Sequence, residues 1–190
     1  MTAADEDDGL RWVLEDLAYH QARVLLLVAA VSAEPGHSRK LDGLTKLAKL
    51  DFLLRYPALA PAVLDRLAED DPRMHIDDDE VAAPTEVADP MTRYKFGPWD
   101  DRYYPVIGAL VSRGLLRYAK GRRGSVALAP TAEGKRLAAD LVSEQIWLVT
   151  AQRCEAIAEA SSDMSGNALK KLVYERLADL MDRPHRELIR

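Results

Sequence analysis

Apolar residues recur along this chain at helical spacing for most of its length. From about residue 5 to residue 33, Trp12, Val13, Leu17, Val24, Leu27, Val28 and Val31 make one wide apolar stripe. Asp5, Glu6, Asp7 and Asp8 suit the positive end of that helix dipole, and Pro35-Gly36 breaks the pattern. A second amphipathic helix is predicted over 43–55. Leu44, Leu47, Leu50, Phe52 and Leu54 form its apolar side, with Lys46, Lys49 and Arg55 in water. Pro57 ends it or kinks it. Residues 58–69 continue as a third helix that buries Val63, Leu64 and Leu67.

The pattern changes after residue 69. Residues 70–92 hold three prolines, many acids and little periodicity, which predicts a loop. The aromatic stretch 94–99, YKFGPW, anchors that loop to the core. A helix follows with Val106, Ile107, Leu110 and Val111 on its buried face, stopped by Gly114. Residues 115–119 and 125–129 then form two short runs suited to strands. Lys120-Gly121-Arg122-Arg123-Gly124 lies between them, with two glycines for the positive-φ positions of a hairpin. Thr131 caps the next helical stretch, 132–160, which is one long helix or two with a soft joint. Its apolar face is Leu137, Leu141, Ile146, Val149 and Ile157. After an interruption at 161–165, Ser165 caps a last helix through Leu169, Leu172, Val173, Leu177 and Leu180, with Met164 and Leu169 as a hydrophobic staple. That helix stops before Pro184.

Helix, basic hairpin, helix is the layout of a winged helix. The fold class expected is mostly α: a winged helix-turn-helix core with long flanking helices and a small β-hairpin wing. The parts are an N-terminal helical region 1–70, an acidic loop 71–92, a winged-helix segment 93–142 and a C-terminal helical extension 143–190.

Charge sharpens this picture. The chain has 26 basic and 31 acidic residues, net −5, which argues against a protein that coats nucleic acid indiscriminately. The charges are unevenly placed. Arg113, Arg117, Lys120, Arg122 and Arg123 fall in one stretch without an acid, whereas 69–80 sets seven acids against Arg73. A single cysteine, Cys154, excludes an internal disulfide and a cysteine-only zinc site. No apolar run approaches the roughly 18–20 residues of a membrane span, and the acidic N-terminus is no signal peptide. The expectation is a cytoplasmic protein with no membrane contact.

Catalytic signatures are missing. No phosphate-cradling glycine loop and no Gly-x-Ser-x-Gly elbow occurs. His20, His37, His75 and His185 stand far apart, and Cys154 has no histidine at helical spacing. His20 is read as a partly buried structural histidine. Asp77, Asp78, Asp79 and Glu80 lack the alternation and central glycine of a calcium loop. No catalytic residue, metal site or cofactor is expected, and the chain is not read as an enzyme. The basic wing is the strongest functional feature. Lys120, Arg122 and Arg123 can reach DNA phosphates, Arg113 and Arg117 can add backbone contacts, and Arg102, with Tyr103 and Tyr104, opens the helix that would meet base edges. Ile107, Gly108, Ala109, Leu110 and Val111 offer that helix no base-reading group. Protein docking with optional DNA contact is therefore preferred over operator recognition. A dimeric winged-helix transcriptional regulator is the alternative.

Three segments carry a resemblance. They are Lys40-Leu-Asp-Gly-Leu-Thr-Lys-Leu-Ala-Lys-Leu-Asp-Phe-Leu-Leu-Arg-Tyr-Pro57, Tyr94-Lys-Phe-Gly-Pro-Trp-Asp-Asp-Arg-Tyr-Tyr104 followed by Gly-Leu-Leu at 114–116, and Met164-Ser-Gly-Asn-Ala-Leu-Lys-Lys-Leu-Val-Tyr174. Together they resemble the middle component of bacterial ABC-three-component systems, including the small winged-helix subunit of Lamassu-type anti-phage defence. The resemblance implies a non-catalytic subunit that binds an SMC/Rad50-like ATPase and links DNA sensing to a separate effector nuclease subunit. It brings no catalytic residue with it.

Overall fold

The computed structural model describes residues 3–75 and 91–189. Two helices form its centre, α1 (Ala3–Ala33) and α2 (Leu44–Arg55). Around them lie α4 (Tyr103–Ser112), α5 (Ala132–Ser143), α6 (Gln145–Ala160) and α7 (Gly166–Arg176), with the single turns α3 (Ala60–Val63) and α8 (Ala178–Met181). In α1 every side chain from Arg23 to Val28 is buried. A helix buried all round needs neighbours on every side, and α1 packs against α2, α4, α5 and α6. In α2 burial is continuous from Lys46 to Leu54, beneath α6, α7 and the strand β3 (Gly97–Trp99). The fold is mostly helical, as expected.

The basic hairpin is present within a residue of its expected limits, as β4 (Leu116–Lys120) and β5 (Val126–Pro130). It is one part of a three-stranded antiparallel sheet. The short strand β1 (Leu41–Asp42) pairs with β5, giving the order β1-β5-β4, with Leu41 opposite Leu128 and Asp42 opposite Ala127. Gly114 has φ 70° and turns the chain out of α4, as its position predicts. At the hairpin root the Thr131 hydroxyl donates to the Gly114 carbonyl at 2.6 Å and accepts the Gly134 N–H at 3.0 Å, so the expected cap forms. Gly134 lies so close to the Leu115 carbonyl that a β-carbon there would be 2.0 Å from the oxygen.

Several expectations change. The predicted helix over 58–69 reduces to a 3₁₀ turn (Pro57–Leu59) and α3, because Pro57 and Pro61 supply no N–H and Leu64 is extended. Val63, Leu64 and Leu67 are nonetheless buried. The aromatic stretch is a second hairpin, β2 (Thr92–Tyr94) with β3. The C-terminal residues pair with its free edge: Arg93 N–H donates to the Glu187 carbonyl at 2.8 Å and Ile189 N–H to the Met91 carbonyl at 2.8 Å. The stretch 132–160 is two helices, broken at Glu144 (φ −88°, ψ 128°). The break resets the helical register. Leu137, Leu141 and Ile157 lie against the core, but Ile146 and Val149 are 82% and 43% exposed. Ser165 caps α7 by accepting the Ala168 N–H at 3.1 Å, and the helix expected beyond it breaks at Leu177. The acids Asp77, Asp78, Asp79 and Glu80 lie outside the described residues. No described helix is long and apolar enough to cross a membrane.

Candidate nucleic-acid interface

Lys120, Arg122 and Arg123 are all exposed at the tip of the β4–β5 hairpin. The tip is held from below by β1 and the residue before it. Asp42 accepts the Arg122 N–H at 3.0 Å and the Ser125 hydroxyl at 3.0 Å, and the Lys40 ammonium donates to the Lys120 carbonyl at 2.7 Å. The turn differs from the sequence expectation in one detail. Positive φ falls on Arg123 (54°) and Gly124 (80°), while Gly121 is at −88°. Gly121 is needed for space: a β-carbon would stand 2.2 Å from the Asp42 carboxylate.

The other predicted cations are spread out. Arg117 is exposed on β4, two-residue periodicity placing it on the opposite face from Leu116, Tyr118 and Lys120. Arg113 follows α4 and donates to the Gln21 side chain of α1 at 3.1 Å. Arg102 grips Asp100 with Nε and a terminal nitrogen, both at 2.9 Å.

That grip belongs to a buried charge network that fixes the start of α4. The Asp51 carboxylate accepts from Arg23 Nε at 2.8 Å, Arg55 Nε at 3.0 Å and the Tyr103 hydroxyl at 2.7 Å. Arg55 continues to Asp100 at 2.5 Å. His20, expected to be partly buried, is fully buried and meets Arg23 through Nδ1 at 2.6 Å. Burial alone would raise the Asp51 pKa, but the Arg23 and Arg55 guanidiniums overcome it and hold the carboxyl well below the usual carboxylate range. Asp100 behaves likewise, with the Arg102 and Arg55 contacts outweighing its burial. Burial and the neighbouring Asp51 charge push the Tyr103 hydroxyl far up, so it stays a donor. Tyr103 therefore points inward, whereas Tyr104 is 64% exposed. The outward face of α4 is Tyr104, Pro105, Gly108 and Ser112. Apart from one phenol and one hydroxyl it offers no side chain able to read a base edge.

Beneath the hairpin tip lies a cavity of about 160 Å³, lined by His37, Ser38, Lys40, Asp42, Lys46, Arg122 and Ser165, with Gly36 and Met164. Lys46 was expected in water and is 4% exposed. Its ammonium donates to the Met164 carbonyl at 2.5 Å and to His37 Nδ1 at 2.8 Å. His37 Nε2 in turn donates to the Ala158 carbonyl at 2.8 Å, which fixes the tautomer. Burial and the adjacent Lys46 lower the His37 pKa, so the imidazole is neutral. Burial, and then Arg122, lower the Lys46 amine to about 8. Lys40, Lys46 and His37 were not predicted site residues. Their partners lie 9 to 121 residues away in the chain, and no local pattern marks them.

Among the described residues no three His, Cys, Asp or Glu side chains gather as metal ligands. Cys154 is buried, and burial pushes its thiol far up, away from the reactive thiolate. No protein-family model, curated protein or solved structure matches this chain.

Proposed function

We propose that this chain is a non-catalytic accessory subunit of an SMC-like ATPase complex that acts against foreign DNA, docking on the ATPase and touching DNA through its basic wing. The ATPase and the effector nuclease come from the sequence resemblance, and the residues supply the contact chemistry. In this reading α1, α2 and α4 are the three helices of a winged helix, β1 joins its sheet, and residues 56–102 are an insertion before the third helix. The observation that carries the reading is a pairing on one molecule. A braced, three-cation tip accompanies a third helix whose outer face has almost nothing to read bases with. Phosphate contact without base readout suits a subunit that meets DNA wherever an ATPase holds it. Ile146 and Val149, exposed three residues apart on one face of α6, supply apolar surface for the ATPase.

The first test is co-purification of the chain with the products of its neighbouring genes. Retention of a large SMC-like ATPase at defined stoichiometry is expected. Ile146→Ser should weaken that retention while changing folding stability by less than about 0.5 kcal/mol, as an exposed position allows. Reversing Arg122 and Arg123 to Glu should lower the DNA affinity of the complex and flatten its dependence on salt. A chain that emerges alone as a dimer and binds one operator sequence selectively would overturn the proposal in favour of a transcriptional regulator.

A further inference from the structure

The cavity under the wing brings three cationic side chains from two distant stretches of the chain around one small space. Lys40 precedes β1, Lys46 lies in α2 and Arg122 in the wing turn. Like charges repel, and Arg122 is close enough to Lys46 to depress its amine pKa. One acid lines the cavity and offsets the cluster only in part. The Asp42 carboxylate takes the Arg122 N–H and the Ser125 hydroxyl, pairs with the Arg122 guanidinium at 3.8 Å and favours the charged form of Lys46, which leaves three cations facing one carboxylate. Asp163 acts on both Lys46 and His37, and Glu34 on His37, but neither lines the cavity. The Ser165 oxygen accepts the Ala168 N–H, capping α7.

Lys46 is the decisive group. An ammonium has three N–H donors. Two go to Met164 and His37, and the neutral, tautomer-fixed imidazole cannot relieve the charge. The third remains for an acceptor in the cavity. At about 160 Å³ the space falls well short of the roughly 300–1,000 Å³ of pockets for drug-sized ligands. It suits one compact oxyanion.

We propose that this cavity binds a single phosphate group through Lys46, Lys40 and Arg122, and that in the working complex the group is a backbone phosphate of the DNA beside the wing. The first half stands on the cavity alone. The second half rests on the wing contacting DNA. A phosphate seated there gives the buried ammonium its missing acceptor and places an anion between two cations that otherwise repel. The Lys40 ammonium, already bound to the Lys120 carbonyl, would fix the wing over the bound group.

The test uses the full chain and inorganic phosphate, titrated against chloride at constant ionic strength while thermal unfolding is followed. The midpoint should climb with phosphate concentration in the wild type, as linkage requires of a ligand that binds the folded state. The climb should be lost in Lys46→Gln and, should that variant fold poorly, in the more exposed Lys40→Ala. No phosphate-specific rise in the wild type, or an equal rise in both variants, overturns the site. Binding of a short duplex by the same proteins tests the DNA half. Lys40→Ala should reduce the slope of log affinity against log salt by about one phosphate contact. A phosphate-dependent midpoint with an unchanged slope would assign the site to free phosphate and overturn the DNA half. The wing is judged separately. If Lys120→Ala and Arg123→Ala at the tip leave duplex affinity unchanged, the wing reading fails whatever the phosphate titration gives.

Discussion

Helix α2 buries four ionisable side chains and settles them in two ways on opposite sides. On one side Asp51 and Arg55 sit in a closed network with Arg23, Asp100, Arg102 and Tyr103, where each carboxylate has guanidinium partners. On the other side Lys46 and Lys49 are as deeply buried, and among the described residues neither forms an ion pair with a carboxylate. Lys49 donates to the Pro98 carbonyl at 3.2 Å, beneath Gly97, and its nearest charges are further cations. Burial, then Lys170 and Arg93, lower its amine to about 7. Paired burial pins α1, α2 and α4 into one body. Unpaired burial stores an unmet electrostatic demand, which at Lys46 is exposed to a cavity and at Lys49 is sealed under the β2–β3 hairpin.

The largest effect that would test this contrast is expected from Asp51→Asn. It keeps the side-chain size but strands Arg23 and Arg55 without their anion, so urea unfolding at pH 7 should show a loss of about 3–5 kcal/mol. A loss under about 1 kcal/mol would show that the network holds nothing together. Acid should erode the same pairs. Asp51 and Asp100 have folded pKa values below their unfolded ones, so their contribution is complete above the unfolded carboxyl range near pH 4. It is lost as pH falls below that. Arg55→Lys should cost less, about 1.5–3 kcal/mol, because an ammonium cannot span Asp51 and Asp100 with a rigid fork.

The smallest effect has the opposite sign. Lys49→Met removes a charge that folding penalises and should stabilise the chain at pH 7 by on the order of 1 kcal/mol. Its pH dependence carries the sharper information. Between about 7 and 10.5 the unfolded chain holds a proton on Lys49 that the folded chain has released, so wild-type stability should rise with pH across that window. The advantage of Lys49→Met should therefore shrink towards pH 10. A pH-independent difference would place Lys49 with the satisfied charges and remove the contrast.

The same helix shows how far the sequence could be read. The leucines of α2 announce its apolar side, and Thr131 and Ser165 announce their caps, because helical periodicity and capping are local. The hairpin limits were legible for the same reason. The fate of Lys46, Lys49 and Arg55 was not. A lysine on the polar side of an amphipathic pattern looks wet until α6, α7 and β3 arrive from more than forty residues away to cover it. Ile146 and Val149 failed in the converse way. They continue the stripe of Leu137 and Leu141 on paper, but the extended Glu144 between them turns the following helix. The tip cations of the candidate site could be found as a run. The cavity under them is assembled by contacts across the chain, and only the hairpin's share of it was visible.

The ties on the β4–β5 hairpin have a mechanical meaning. Lys40 and Asp42 hold the tip of the hairpin, and Thr131 holds its root against the carbonyl at the end of α4's turn. A hairpin fastened at one end is a finger that bends when it touches something. Fastened at both, and braced by α5 where Gly134 rests on Leu115, it is a lever. A load on Arg123 is then delivered to α5 at the root and, through β1, to the start of α2, two elements that both pack against α1.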